Sequence, residues 1–179
     1  MAPERWDEVE ESMGPVERRA RRDQIEGEAE ARQLHVASRS LVDVAWEAMQ
    51  QGHRIRITWI GGETQGVPSA AVEDLVVIPA DDGIHAVNVA AVSTVEVVER
   101  RAGAGSVGDR TLGSFVALCR LVEGSPVTCH LLGERRLDGV LETTAQDHLY
   151  LRTSSGAEMA AAKSRVAALS VFGDFALAF

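Results

Sequence analysis

The sequence predicts a mainly β protein with helices: two tandem five-stranded small barrels, each preceded by a short helix, plus an N-terminal helical arm. Three observations support this prediction. Residues 38–99 (the first segment) and residues 111–172 (the second segment) follow one plan, although few residues are identical. Each segment has roughly 60 residues, a length that suits a small barrel and leaves a single barrel marginally stable. Short runs of alternating apolar and polar residues recur between glycine-containing turns, as expected of half-buried strands.

The arm, residues 1–37, is rich in Glu, Arg, Ala and Gln, which favour helix. Pairs such as Glu17/Arg21 and Glu28/Arg32 have the favourable i, i+4 order. The arm is predicted to be a solvated helix lying across the barrels, because sustained apolar heptads are absent. A partner-docking helix is the alternative.

Each segment opens with a helical pattern, LVDVAWEAMQQG in the first and LGSFVALCRLVEG in the second. Ser38 or Ser40 is the candidate N-cap of the first helix, and Thr111 is the candidate for the second. Gly52 and Gly124 are predicted to end the two helices.

Apolar residues alternate with polar ones in the strand that follows each helix. In the first segment Ile55, Ile57 and Trp59 alternate with Arg56 and Thr58, which predicts that Trp59 belongs to the core. The second segment has the same alternation at Val127, Cys129 and Leu131.

Glycines divide each segment in the same way. Gly66 and Gly139 are predicted to lie where a strand bends sharply. Residues 81–83 (Asp-Asp-Gly) and 154–156 (Ser-Ser-Gly) are predicted hairpin turns. The Gly-rich residues 100–110 form the predicted linker, and the apolar residues 173–179 form a C-terminal tail expected to dock on the body.

The second segment resembles the Sm/LSm fold, a small SH3-like barrel. VTCHLLGERRLDGVLETTAQDHLYL is similar to the first Sm motif, and AAKSRVAALSV is similar to the closing motif. The whole arrangement, with RWD near its start, resembles an uncharacterised family of high-GC Gram-positive bacterial proteins with two tandem Sm-like barrels. The resemblance implies pairing through exposed edge strands, either with further copies or with a partner.

In RNA-binding Sm proteins, an Asp and an Asn separated by three residues shape a uridine pocket with a basic residue of the closing motif. Here Asp147 is followed at once by His148 with no Asn near, and Lys163 or Arg165 could supply the basic residue. The resemblance therefore implies a candidate RNA site at these four residues. In the first segment Ala90 and Val92 stand at the positions aligned with the basic residues. The competing interpretation is that Asp74 and Asp147 organise turns through side-chain-to-backbone hydrogen bonds.

The net charge of −9 argues against a general nucleic-acid binder, because an acidic surface loses the counterion-release contribution. No nucleophile with a positioned base stands out, the histidines lack metal-ligand spacing, and GAGSVG at 103–108 is interpreted as linker. We therefore expect no enzyme activity, catalytic residue, metal, cofactor or small-molecule substrate.

The N-terminus lacks the apolar run of a signal peptide, and no stretch is long and apolar enough for a membrane span. We expect a cytoplasmic protein with buried, reduced Cys119 and Cys129. The predicted function is a non-enzymatic protein-interaction or assembly module with a protein partner or further copies of itself. An RNA-binding regulator using the second barrel is the alternative.

Overall fold

The computed structural model describes residues 19–21, 24, 27–28, 38–101, 105 and 113–173. The chain divides into two compact units, residues 1–39 and residues 40–179. Most of the predicted arm and linker lies outside the described residues, as does the tail beyond Gly173. The domain boundaries inferred from the sequence stay predictions.

The prediction of a mainly β protein with a few helices is confirmed. The helices are α1 (Leu41–Gln51) and α2 (Phe115–Leu121). The strands of the first segment are β1 (Arg54–Trp59), β2 (Gly62–Gly66), β3 (Ala70–Val72), β4 (Leu75–Ala80), β5 (Gly83–Asn88) and β6 (Val92–Glu99). Those of the second segment are β7 (Pro126–Leu131), β8 (Arg136–Thr144), β9 (His148–Arg152), β10 (Glu158–Ala162) and β11 (Val166–Phe172). A single 3-10 turn precedes the last strand of each segment, Val89–Ala91 and Lys163–Arg165.

Local sequence signals define both ends of α1. The Ser40 hydroxyl accepts the Asp43 N–H at 3.2 Å, and the Asp43 carboxylate accepts the Ser40 N–H at 2.8 Å, which completes a capping box. Gly52 ends the helix with φ of 65°, as predicted. Gly105 of the linker donates its N–H to the carbonyl of Gln50 at 3.0 Å, so a carbonyl near the helix end is satisfied.

The predicted start of the second helix is wrong. Helix α2 begins after Ser114, whose hydroxyl accepts the Ala117 N–H at 3.3 Å, whereas Thr111 lies outside the described residues. Gly113 has φ of 62°, a left-handed conformation that keeps the helix from starting earlier. The Asp74 carboxylate of the first segment also accepts the N–H of Phe115 at 2.7 Å, so a tertiary contact helps to fix this helix start.

The strands form an eight-stranded sheet, β10-β9-β8-β7-β11-β5-β4-β3, and a three-stranded sheet, β2-β1-β6. Neither sheet is a closed barrel, so the expected pair of closed five-stranded barrels is corrected. The first segment is divided between the two sheets because its second strand is interrupted between Gly66 and Ala70. Pro68 lies in this gap and has no N–H to donate to a strand ladder. The corresponding β8 runs without a break and keeps the second segment in one sheet.

The two segments are joined by hydrogen bonding between β5 and β11, which we call the seam. The strands run antiparallel, with Ala168 opposite Val87 and Val171 opposite Ile84. On its other side β11 pairs with β7 of its own segment, and β5 pairs with β4. The seam is therefore the place where the two segments become one sheet.

The eight-stranded sheet has an apolar core on each side. The first core contains residues from α1 and β1, including the buried Trp59, and the second contains Phe115 and Leu118 of α2. Each core takes residues from both segments: Ala168 of β11 packs in the first, and Leu75 of β4 packs in the second. Because apolar side chains cover both faces of β4, its first four residues are all buried. The prediction that Trp59 belongs to the core is confirmed.

Substitution of two glycines that follow hairpin turns tests how closely β5 and β11 approach each other at the seam. A Cβ on Gly83 would lie 1.9 Å from the Val171 carbonyl oxygen, whereas a Cβ on Gly156 would meet nothing within 4 Å. We expect Gly83→Ala to lower the free energy of unfolding by about 2–4 kcal/mol, because the seam strands must move apart. Gly156→Ala is the matched control and should cost only about 1 kcal/mol, for its left-handed backbone. Urea unfolding measures both; equal costs would contradict the close approach.

Candidate functional site

Three of the four predicted RNA-site residues come together at the turn between β8 and β9. The Lys163 ammonium donates to the carbonyl of Ala145 at 2.8 Å, and the Lys163 N–H donates to the carbonyl of Asp147 at the same distance. The Asp147 carboxylate is hydrogen-bonded to Nδ1 of His148. Lys163 therefore links the 3-10 turn Lys163–Arg165 to the turn between β8 and β9 through two hydrogen bonds.

Arg165 stands apart from this group at the far end of the 3-10 turn. Its side chain is exposed, and its carbonyl accepts the N–H of Leu132 at 2.9 Å. Among the described hydrogen bonds and ion pairs, none uses its guanidinium. Arg165 is thus the residue of the predicted set that is best placed to contact a phosphate from solvent.

The structure adds Tyr150 to the predicted site. Its ring meets that of His148 edge-on with the ring centroids 4.5 Å apart, and Tyr150 is 42% exposed. His148 and Tyr150 are two residues apart on β9, so the alternation of a strand puts them on one face. This alternation was visible in the HLYLR run and could have identified Tyr150. The buried Nε2 of His148 has no hydrogen-bond partner among the described residues.

The electrostatic balance of the predicted site is mixed. The hydrogen bond from His148 holds the pKa of Asp147 below its usual value, so this exposed carboxylate is charged at neutral pH. A negative group beside Lys163 opposes phosphate binding. The cluster therefore contains one carboxylate, one imidazole and one ammonium already bound to a carbonyl, and the exposed Arg165 guanidinium lies apart from it.

Asp74 and Asp147 share a backbone role but differ in their side chains. The Asp74 carbonyl accepts the N–H of Val89, as the Asp147 carbonyl accepts that of Lys163, both at 2.8 Å. The Asp74 carboxylate instead binds the N–H of Phe115 at the start of α2. The interpretation of side-chain-to-backbone bonding therefore describes Asp74, although the bond reaches another element rather than its own turn.

The 3-10 turns correct the alignment of the basic residues with the first segment. Val89 and Ala91 take the places of Lys163 and Arg165, one residue earlier than the predicted Ala90 and Val92. All of these first-segment residues are apolar, so the first segment still lacks a basic group at this place.

A second polar cluster, not anticipated from the sequence, lies on the seam. The Ser170 hydroxyl of β11 is 2.8 Å from Nδ1 of His85 on β5 and 2.8 Å from Nε2 of His130 on β7. Trp59 meets the His130 ring edge-on with centroids 5.8 Å apart. Burial is the main cause that lowers the pKa of both imidazoles, that of His130 to about 4. Both rings are therefore neutral at pH 7.

Ser170 is poorly placed for nucleophilic chemistry although two imidazoles flank it. Its exposed fraction is 3%, so a substrate carbonyl has no open approach to the hydroxyl. A serine nucleophile also needs donors for the developing oxyanion, and the hydroxyl is shared between two ring nitrogens. The arrangement can hold strands together by hydrogen bonds.

A surface groove of about 560 Å³ lies on the second segment at the far end from the predicted RNA site. The Thr128 hydroxyl donates to Asp138 at 2.5 Å on its wall, and Arg152, also on the wall, pairs with Glu142. The three side chains on the wall are thus already paired within the protein, and Thr153 and Ser154 are the other polar residues of the lining. Apolar groups complete the lining: Pro126, Val127, Val140 and Phe172.

Comparison with known proteins adds no identification. No protein-family model matches the chain, and no curated protein matches it.

Within the part of the chain that the structure describes, no three His, Cys, Asp or Glu side chains are grouped as metal ligands. No helix among the described residues combines the length and apolar character needed to cross a membrane.

The two cysteines provide a test of core burial. Burial raises the pKa of Cys119 and of Cys129 to about 12, and both are free thiols in the second core. Because the thiolate is the reactive form, we expect both thiols to react with an aromatic disulfide reagent at about pH 8 at least about 100-fold more slowly than a free cysteine. The urea-unfolded chain is the control and should release both thiols at once. Rapid labelling of the folded chain would contradict the placement of these residues.

Proposed function

We propose that this chain is a non-enzymatic cytoplasmic assembly module, built from two tandem Sm-like segments and related to the uncharacterised bacterial family that it resembles. The strands of the second segment, numbered along the chain from β7, lie in the spatial order fourth, third, second, first, fifth (β10-β9-β8-β7-β11). The first segment has the same order if β2 and β3 count as one interrupted strand. These strand orders support an Sm-like topology for both segments.

The seam provides the model for assembly. There the fourth strand of the first segment, β5, pairs with the fifth strand of the second segment, β11. The corresponding strands at the two outer ends are β10, a fourth strand, and β6, a fifth strand. Among the described residues no strand pairs with the outer edge of either one. One pairing of this kind is therefore made within the chain, and both halves of a second pairing are left open.

Burial differs sharply between paired and open strands of the same kind. The first six residues of β11 are all buried, whereas β6 has no buried residue. Strand β5 has four buried residues, whereas β10 has only Ala161. The valine-rich β6 and the alanine-rich β10 carry no lysine or proline, the residues that commonly protect an edge. This burial difference is the observation that carries the proposal.

The seam also predicts the register between molecules. Leu169 lies opposite Ala86 in the seam. Counted from the 3-10 turns, Val95 takes the place of Leu169, and Ala160 takes the place of Ala86. We therefore propose that β10 of one molecule pairs with β6 of the next, with Ala160 opposite Val95. Such a head-to-tail contact builds a ring if it closes and an open chain if it does not.

The N–H groups of β10 that point away from β9 offer a test of the proposed pairing between molecules. The Lys163 N–H bonds inward to Asp147, and antiparallel pairing alternates, so the Ala160 N–H points away from β9. Ala160→Pro removes this N–H, and we expect the larger species to be lost in sedimentation while the melting temperature changes little. Ala160→Ser keeps the N–H and is the control that should assemble. A monomeric parent chain, or unchanged assembly of the proline variant, would refute the proposal.

Salt dependence separates assembly from the RNA-binding alternative. The chain carries a net charge of −9, and Glu158 of β10 would approach β6, which contains Glu96 and Glu99. Screening of like charges should strengthen self-association between about 0.05 M and about 0.5 M NaCl. Phosphate binding weakens over the same range because counterions compete.

RNA binding by the second segment is the alternative function. Two features support it: the exposed Tyr150 ring lies beside His148, and Arg165 lies in the same 3-10 turn as Lys163. If it operates, Lys163→Ala and Arg165→Ala should each weaken binding of a U-rich or A-rich oligonucleotide and reduce the salt slope by about one. Arg101→Ala, at an exposed arginine paired with Glu99 in the first segment, is the control. Unchanged affinity in both test variants, measured by fluorescence anisotropy, would reject this site.

A further inference from the structure

Three side chains link three neighbouring strands across the seam. His85 on β5 lies directly opposite Ser170 on β11, and His130 on β7 reaches the same hydroxyl from the other side. The first histidine belongs to the first segment, and the other two residues belong to the second. The group is therefore a polar side-chain connection that spans the seam.

The number of protons constrains how this connection can be made. A serine hydroxyl has one hydrogen, so it can donate to one imidazole while it accepts from the other. The ring that accepts the serine hydrogen must then be neutral, because a protonated imidazole has no lone pair, whereas the donating ring needs only its N–H. Protonation of the accepting ring takes away the acceptor of the serine hydrogen and adds a positive charge to a half-buried site.

The surroundings of the two rings favour the neutral form. The buried Ser170 and the Trp59 ring limit water on this face. Arg136 and the other histidine oppose a charge on His130, whereas Asp138 favours it; Asp82 favours a charge on His85. Desolvation is the largest influence on both rings and outweighs the two carboxylates.

We propose that His85, Ser170 and His130 form a proton-sensitive clasp that holds β5 against β11 at neutral pH and releases the two strands in acid. The corresponding positions of the proposed contact between molecules are Met159, Glu96 and Thr58, none of which is an imidazole. Acid should therefore act on the seam within the chain rather than on the outer edges. The clasp stands on the seam itself and does not depend on the proposed assembly.

The direction of the pH effect follows from the lowered pKa values. An opened or unfolded imidazole titrates near its ordinary pKa of 6.5, whereas His130 in the closed seam titrates at about 4. Between these values the open state binds the proton and the closed state does not, so seam stability is complete above the higher pKa and falls as the pH decreases. Exposure of both rings to some solvent reduces the size of this effect.

Hydrogen exchange of the intact chain measures the opening strand by strand. After correction for intrinsic rates, we expect the amides of β5 and β11 to lose at least about tenfold in protection between about pH 7.5 and about pH 5. The amides shared by β8 and β9 should lose less. A uniform loss in all strands, or no loss in the seam, would overturn the clasp.

A non-titrating variant isolates the histidines. The double variant His85→Gln with His130→Gln keeps groups that donate and accept but cannot gain a proton in this range, so the pH difference in β5 and β11 should disappear. His148→Gln, at a histidine of β9 away from the seam, should retain the difference. A seam that still opens in acid in the double variant would contradict the proposal.

The wild-type chain offers a test that needs no variant. His85 contacts the hydroxyl through Nδ1 and His130 contacts it through Nε2. If His85 donates and His130 accepts, both rings carry the hydrogen on Nδ1; if the roles are reversed, both carry it on Nε2. The clasp therefore requires the same tautomer in both rings. Imidazole ¹⁵N shifts at neutral pH report the tautomers. Two opposite tautomers would mean that both rings donate to the hydroxyl or that both present lone pairs to it, and the clasp would be refuted.

Discussion

The antiparallel pairing of β5 with β11 is the interaction on which the rest of the fold depends. It turns strands from two segments into one sheet with a core on each side. Without it the buried N–H and C=O groups of both strands would lack partners, at a cost of about 1–3 kcal/mol for each group. It also explains the glycine at residue 83, because the Val171 carbonyl occupies the space that a side chain would need.

Several polar side chains that could carry chemistry bind backbone atoms of the protein instead. The Asp74 carboxylate fixes the start of α2, the Lys163 ammonium binds the carbonyl of Ala145, and Asn88 donates to the buried carbonyl of Val166 at 3.0 Å. A charged group that satisfies a backbone atom is less available to a ligand. This use of the side chains favours a role based on strand edges over one based on a reactive site.

The two segments differ in ways that match their surroundings. Asp74 and Asp147 make the same backbone hydrogen bond, while one carboxylate binds the N–H of Phe115 in α2 and the other binds the half-buried His148. The Val-Pro-Ser interruption after Gly66 places the first segment in two sheets, whereas β8 stays continuous. Candidate functional differences therefore concentrate on the outward faces and open ends.

Local signals in the sequence were sufficient for the mainly β class, the end of α1 at Gly52 and the alternation that buries Ile55, Ile57 and Trp59, because each depends on residues a few positions apart. They narrowed the α1 cap to Ser38 or Ser40, and the structure selects Ser40. The start of α2 and the polar cluster of the seam were decided by tertiary structure. Asp74 meets Phe115 across 41 residues, and His85 meets Ser170 across 85. Such meetings depend on which strand edges pair, and alternation within one strand carries no information about its neighbour.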